Sequence, residues 1–435
     1  MKGRGLVLAA FAAATMLAGG LPALGQDSSG IRKVGSLYDN YWAAAWGVAI
    51  AGDYAYVAAA ESGLRVVDVS DPAQPREVGF YDSPGWAGRV AISGNHAYVA
   101  DGDSGLQVVD VSDPAQPVET GFYNSPGFAC GVAVAGNYAY VADGGSGMRV
   151  VDVSDPARPA ETGYSPVSAF CISVAGNYVY VTDGGAGLRI VNVSDPARPV
   201  ETGCYETPHY AIGVAVAGNY AYVTSEYTAC RGRDDAEEDQ FLTVVDVSDP
   251  TRPVGIGSYF LSARGQTTVA GVAVAGNYAY VADGFFGLRV VNISDPAHPH
   301  EVGYYDMPQD ALGVAIGPNG LIYVTDGTLG IYDCSEALSA PSSDFILHPS
   351  SFSLSSFPNP FNSQAVTRYE LRGASSVSLR LYDLDGRRVQ TLFEGWQEAG
   401  EHSINWDGVA LPSGKYLIRL RSQGAEGVNE LVKLK

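Results

Sequence analysis

The chain has 435 residues, 46% of them hydrophobic, which is enough for two or three domains and argues against wholesale disorder. Lys and Arg number 26 against 47 Asp and Glu, a formal charge of −21. That field repels phosphate backbones and anionic lipid, so nucleic acid is a poor partner, and solubility is the plain reading of the acidity.

The chain begins with two basic residues, Lys2 and Arg4, followed by an apolar run from Leu6 to Ala18. Small residues Ala23 and Gly25 then precede Gln26. Residues 1–25 therefore read as a secretory signal peptide and the mature chain as exported. No other stretch is long and apolar enough to span a membrane.

From Gly47 the chain repeats one sentence, GVAIAGDYAYVAAAESGLRVVDVSDPAQP, which returns from Gly131 and again from Gly271. The first Val of each copy falls at Val48, Val90, Val132, Ile172, Val214, Val272 and Val314. The period is near 42 residues, with one long insertion in the fifth copy. A period of about 40–45 with several short strands is propeller-like. Each copy reads as four strands, of which GVAVAG is the innermost because its residues are small. The turns AGN, DGGSG and SDPARP carry Gly, Asp, Ser and Pro where tight turns need them. No window holds helical periodicity.

IRKVGSLYDN, residues 31–40, matches the fourth-strand segment REVGFYDS, whereas the seventh copy stops after its third strand. The N-terminal strand is therefore expected to complete the last blade and close the ring, removing two open edges. LRVVDVSDP (Leu64–Pro72), LQVVDVSDP (Leu106–Pro114) and LRIVNVSDP (Leu188–Pro196) resemble the LVIVD-repeat family of exported bacterial proteins. The resemblance implies a seven-bladed β-propeller over residues 31–337 and says little about activity.

Residues 338–356 read as a Ser-rich linker. Beyond them, residues 357–435 alternate apolar and polar positions and read as a small β-sandwich. FPNPFN (Phe357–Asn362), LYDLDGRRVQTL (Leu381–Leu392), GEHSINWDG (Gly400–Gly408) and LPSGKYLIRL (Leu411–Leu420) carry a further resemblance. They resemble the C-terminal sorting domain of type IX secretion cargo and the related immunoglobulin-like domain of flagellar hook-capping proteins. This implies export across a Gram-negative outer membrane, with surface attachment or release through the secretion machinery.

The loops between strands four and one and between strands two and three converge on the face where propellers usually take ligands. Aromatics recur there: Trp86, Phe128 and Tyr210, with Trp42, Trp46 and Phe170 close by. They are candidates to stack on a sugar or peptide, or else lids over each blade's core. Arg89 stands at the Gly position that starts the second inner strand and is a candidate for an anionic group. The fifth-copy insertion places Asp234, Asp235, Glu237 and Glu238 on the same face. An Asp also recurs at Asp101, Asp143, Asp183, Asp283 and Asp326. A carboxylate ring would attract Ca²⁺, but one Asp per Asp-Gly turn is explained by the turn alone.

The five cysteines are too few for a disulfide scaffold, with Cys204–Cys230 the pairing left open. No nucleophile elbow, zinc motif or P-loop occurs, and the six histidines are scattered. The expectation is an all-β, non-catalytic binding scaffold without a cofactor, secreted or displayed on the cell surface, with a surface protein or glycan as partner. The alternative is an exported propeller hydrolase acting on polysaccharide or peptide, centred on Arg89 or His209.

Overall fold

The computed structural model describes residues 28–37, 42, 44–226, 239–263, 271–307, 309–339, 354–371, 375–383, 388–398, 400–422 and 425–434. The expected signal peptide, the linker core, Cys230 and the four acidic residues of the insertion lie outside these.

Blade 3 shows the repeating unit. Its strands Gly131–Ala135, Tyr138–Ala142, Met148–Asp152 and Ala160–Ser165 pair antiparallel in sequence order. Tyr140 is 4% exposed and Ala139 and Val141 are fully buried, so both faces of the second strand are covered. The covering comes from neighbouring blades: Tyr98, Leu106 and Val108 of blade 2 pack with Val132, Val141 and Val151 of blade 3. A strand buried on both faces loses the period-two pattern, which is why YAYVA is apolar throughout. The seven inner strands follow one another round a ring, and Gly313–Ile316 of blade 7 returns to Gly47–Ala51 of blade 1.

Close approach between blades explains one recurring glycine. A Cβ on Gly121, in the outer strand of blade 2, would lie 2.5 Å from the Pro156 carbonyl oxygen of the next blade. The same test at Gly35 gives 2.1 Å to the Pro72 carbonyl oxygen of blade 1. Gly35 therefore does for blade 7 what Gly121 does for blade 2. Its strand, Arg32–Leu37, pairs with Leu329–Asp333 and closes the ring as expected.

The N-terminus goes further than the repeat pattern suggests. Ser28–Ser29 pairs with Tyr304–Tyr305 as a fifth strand on blade 6. Ile31 is buried there, and the Ala337 amide donates to the Gly30 carbonyl at 2.9 Å. Residues 28–37 thus bridge two blades, and the propeller takes in Ser28 and Ser29 ahead of the expected residue 31. Ala337 lies in a short helix, Ser335–Ser339, that the sequence pattern does not announce.

The C-terminal sandwich has a three-stranded sheet, Leu354–Phe357, Gln364–Leu371 and Gly400–Asp407. Its four-stranded sheet orders Arg388–Gln397, Ser375–Asp383, Gly414–Ser422 and Ala425–Lys433. Phe361, Tyr369, Leu379, Leu381, Trp406, Ile418 and Leu431 form its core. The domain includes Leu354, three residues before the expected boundary, because Leu354 pairs with Tyr369.

Candidate functional site

The upper face is built from the peptide that leaves each outer strand for the next inner strand. Two blades hold this connection at once. Between blades 1 and 2, Ala87 and Ala60 exchange backbone hydrogen bonds of 3.0 Å, tying the connection to the turn of the blade it leaves. Asp101 of blade 2 accepts from Ser83 Oγ at 2.5 Å and from the Gly85 amide at 2.8 Å. Asp143 does the same for Ser125 Oγ at 2.6 Å and the Gly127 amide at 2.9 Å.

Asp101 and Asp143 are fully buried, and Asp326 is 5% exposed. Burial pushes the Asp101 carboxyl above the usual range, opposed by the bonds from Ser83 and Gly85. Burial also raises Asp183, opposed by the charge of Arg189 3.6 Å away. These carboxylates are engaged by protein donors one blade at a time, so they do not form the open ring that Ca²⁺ would require. Among the described residues, no three His, Cys, Asp or Glu are grouped to hold a metal. Calling them turn residues was too narrow, because they clamp the loop to the disc. On the lower face, Asp68, Asp110 and Asp152 accept the amide two residues on, as local caps.

With the connections clamped, their aromatic side chains hold a defined arc. Trp46 and Trp86 lie 4.8 Å apart, edge to face, and Trp86 and Phe128 lie 5.9 Å apart. Phe170 and Tyr210 form a second pair at 5.8 Å. Phe128 is 42% exposed and Phe170 37%, although both are large apolar groups. The rings also rest on the turns below: a Cβ on Gly102 would be 2.9 Å from the Phe128 ring, and one on Gly184 would be 2.4 Å from that of Tyr210. One side of each ring packs on the disc, as the lid reading expects, while the other side meets solvent.

Trp42 is different. It is 7% exposed, packs in the core between blades 7 and 1, and donates Nε1–H to Glu77 at 2.8 Å. Elsewhere a tyrosine of the preceding blade serves the matching glutamate, as Tyr81 donates to Glu119 and Tyr123 to Glu161. Trp42 replaces that tyrosine and is withdrawn from the candidate site.

Arg89 is the one charged side chain on the seven inner strands. A Cβ on Gly47 would lie 3.2 Å from its Cδ, so the arginine reaches towards blade 1. His209 stacks on Phe241 at 4.6 Å with an interplanar angle of 4°. Burial lowers its pKa to about 4, leaving it neutral at pH 7. Arg89 belongs to blade 2 and His209 to blade 5.

The sequence reading missed the outer rim. Arg65 lies 4.7 Å over Phe80, Arg149 4.4 Å over Tyr164, and Arg289 5.2 Å over Tyr304. Phe80, Phe122 and Tyr164 are 45–53% exposed, whereas Tyr304 is fully buried. The signal was present as Arg in LRVVD opposite the aromatic of VGFY, visible only once those strands are paired. Cys204 occupies this rim position in blade 4 and is exposed, while Cys230, its candidate bridge partner, lies outside the described residues.

No curated protein matches the chain. Among solved structures, the WD40 β-propeller domain of Doa1 aligns at TM-score 0.55 and 10% identity, covering 70% of this chain and 97% of that one. The β-propeller domain of Cps50 (Swd1) from Myceliophteria thermophila aligns at TM-score 0.51 and 11% identity, over 69% and 99%. These likenesses establish the fold alone. Residues 361–426 match the FlgD Ig-like domain. The LVIVD repeat model matches residues 43–83, 84–125, 126–164, 168–207, 208–227, 236–260 and 267–307, and leaves unmatched the seventh blade, which is assembled from both ends of the propeller. Since these matches span more than half of the sequence, the chain belongs to the LVIVD repeat family.

Proposed function

We propose that this protein is an exported, non-catalytic binding propeller that takes a surface protein or glycan on its upper face. The observation that carries the proposal is the half-exposed aromatic arc from Trp46 through Trp86 to Phe128, set across the connections leading into three neighbouring blades. Rings held on one side by clamped backbone lose little entropy on binding, so their free faces suit stacking on a sugar or an apolar peptide side chain. Arg89, at the start of the second inner strand, supplies one positive charge in an acidic protein. The grounds for export are the N-terminal 25 residues, and those for attachment at a Gram-negative cell surface are the resemblance of residues 357–435 to a type IX sorting domain.

The test is capture. The mature chain is immobilised and exposed to envelope extract and a glycan panel, with and without Ca²⁺. A saturable ligand whose affinity falls about tenfold or more in Trp86→Ala supports the reading. Capture of nothing, together with substrate turnover lost on Arg89→Ala or His209→Ala, would replace it with the exported hydrolase.

A further inference from the structure

Blade 5 departs from its neighbours in length. Its strands Tyr210–Ala217, Tyr220–Glu226, Asp239–Asp246 and Val254–Ala263 have 8, 7, 8 and 10 residues, whereas those of blade 3 have 5, 5, 5 and 6. The extra length carries Phe241 and Phe260, 5.5 Å apart and edge to face, with His209 stacked on Phe241. Three aromatic rings thus stiffen an extension that no other blade has.

The sandwich shows the matching anomaly. In Gly414–Ser422, Ile418 and Leu420 are fully buried in the sandwich core, so alternation directs Arg419 away from that core. Arg419 is nevertheless 3% exposed. Tyr382, beside the core residue Leu381, also points outward and is 7% exposed. The propeller covers Arg419, whose guanidinium lies 4.6 Å over the Phe260 ring, and Arg419 in turn lies 5.4 Å over the ring of Tyr382 in its own sandwich. Lys415 lies four residues before Arg419 on the same face, roughly 13 Å along the strand. Asp295 of blade 6 is held below the usual carboxylate range by bonds from His298 and the Ala297 amide, with the charge of Lys415 the smallest of the contributions.

We propose that the extension of blade 5 and the adjoining rim of blade 6 form a docking platform for the chain's own C-terminal sandwich, gripped at Arg419 and Lys415. Charge favours the arrangement. Residues 357–435 hold ten Lys and Arg against nine Asp and Glu, while the rest of the chain holds 16 against 38. A near-neutral domain whose outer face carries Arg419 and Lys415 settles on an acidic disc. The two domains then travel as one body, and the aromatic mouth keeps a fixed direction relative to whatever holds the sandwich.

The experiment is zero-length carbodiimide cross-linking of the full mature chain, dilute enough to suppress links between chains, read by peptide mass spectrometry. The expected product joins Lys415 to Asp295 and falls at least tenfold in Arg419→Glu and in Phe260→Ala, with each variant's thermal transitions checked against wild type. These substitutions lie in different domains, so misfolding of one leaves the other informative. No Lys415–Asp295 product from wild type, or equal yield from both folded variants, would overturn the proposal. The result is independent of whether the mouth binds a ligand.

Discussion

Ser83 in the connection leaving blade 1 donates a 2.5 Å hydrogen bond to Asp101 in the turn of blade 2, a carboxylate with no exposure. Asp101→Ala leaves Ser83 and the Gly85 amide without an acceptor in a buried place. The expected loss is about 1–3 kcal/mol, read as a lower denaturant midpoint. Because Trp86 follows Gly85, capture by the mouth should weaken too.

Glu301 gives a pH signature. It is 6% exposed, its carboxyl is pushed up to about 7 by burial, and Arg289 at 3.9 Å opposes the rise only in part. A carboxyl raised above its unfolded value of about 4.3 is penalised when ionised. The penalty is present in full above pH 7 and is relieved as pH falls from about 7 towards 4.3. Glu301→Gln should raise the melting temperature at pH 8.5 and change it little at pH 4.5. Asp283 and Asp306 remain beside Arg289 in the variant. Equal shifts at both pH values would refute the assignment.

Ring closure predicts the outcome of a truncation. Removing residues 30–40 strips Arg32–Leu37 from Leu329–Asp333 and exposes that edge, together with the cores that Ile31 and Val34 help to fill. Light scattering after size exclusion should show oligomers or aggregate. A folded monomer would refute closure by this strand.

The thiols should separate by reactivity. Cys204 is exposed, whereas burial pushes Cys130 and Cys334 up to about 12 and leaves them almost no thiolate at pH 7.5. A maleimide time course with peptide mapping should label Cys204 well before those two. Labelling of Cys130 first would contradict the burial.

Much of the architecture was legible because the repeat restates it. The same Gly, the same SDP turn and the same apolar second strand return about every 42 residues, and Gly35 in its repeat position predicts where the first strand must go. The site was only partly legible. Trp46, Trp86, Phe128 and Tyr210 stood at recurring places, and the structure joins Trp46, Trp86 and Phe128 through ring contacts. Trp42 looked the same in sequence, yet its ring turns inwards to Glu77. The acidic run Asp234, Asp235, Glu237 and Glu238 lies outside the described residues.

By itself the sequence determined the number of blades, the order of strands, the closing strand and the presence of a second β domain, because each depends on local patterning or on the count of copies. Tertiary structure decided which polar groups are buried and which aromatics stay open. Asp101 and Asp68 are both turn aspartates, but only Asp101 meets the loop of a preceding blade. Tyr304 and Phe80 share a repeat position, and only Tyr304 is covered. Burial belongs to the assembled neighbours of a residue, so a pattern repeated along one chain carries no record of what later packs against each copy.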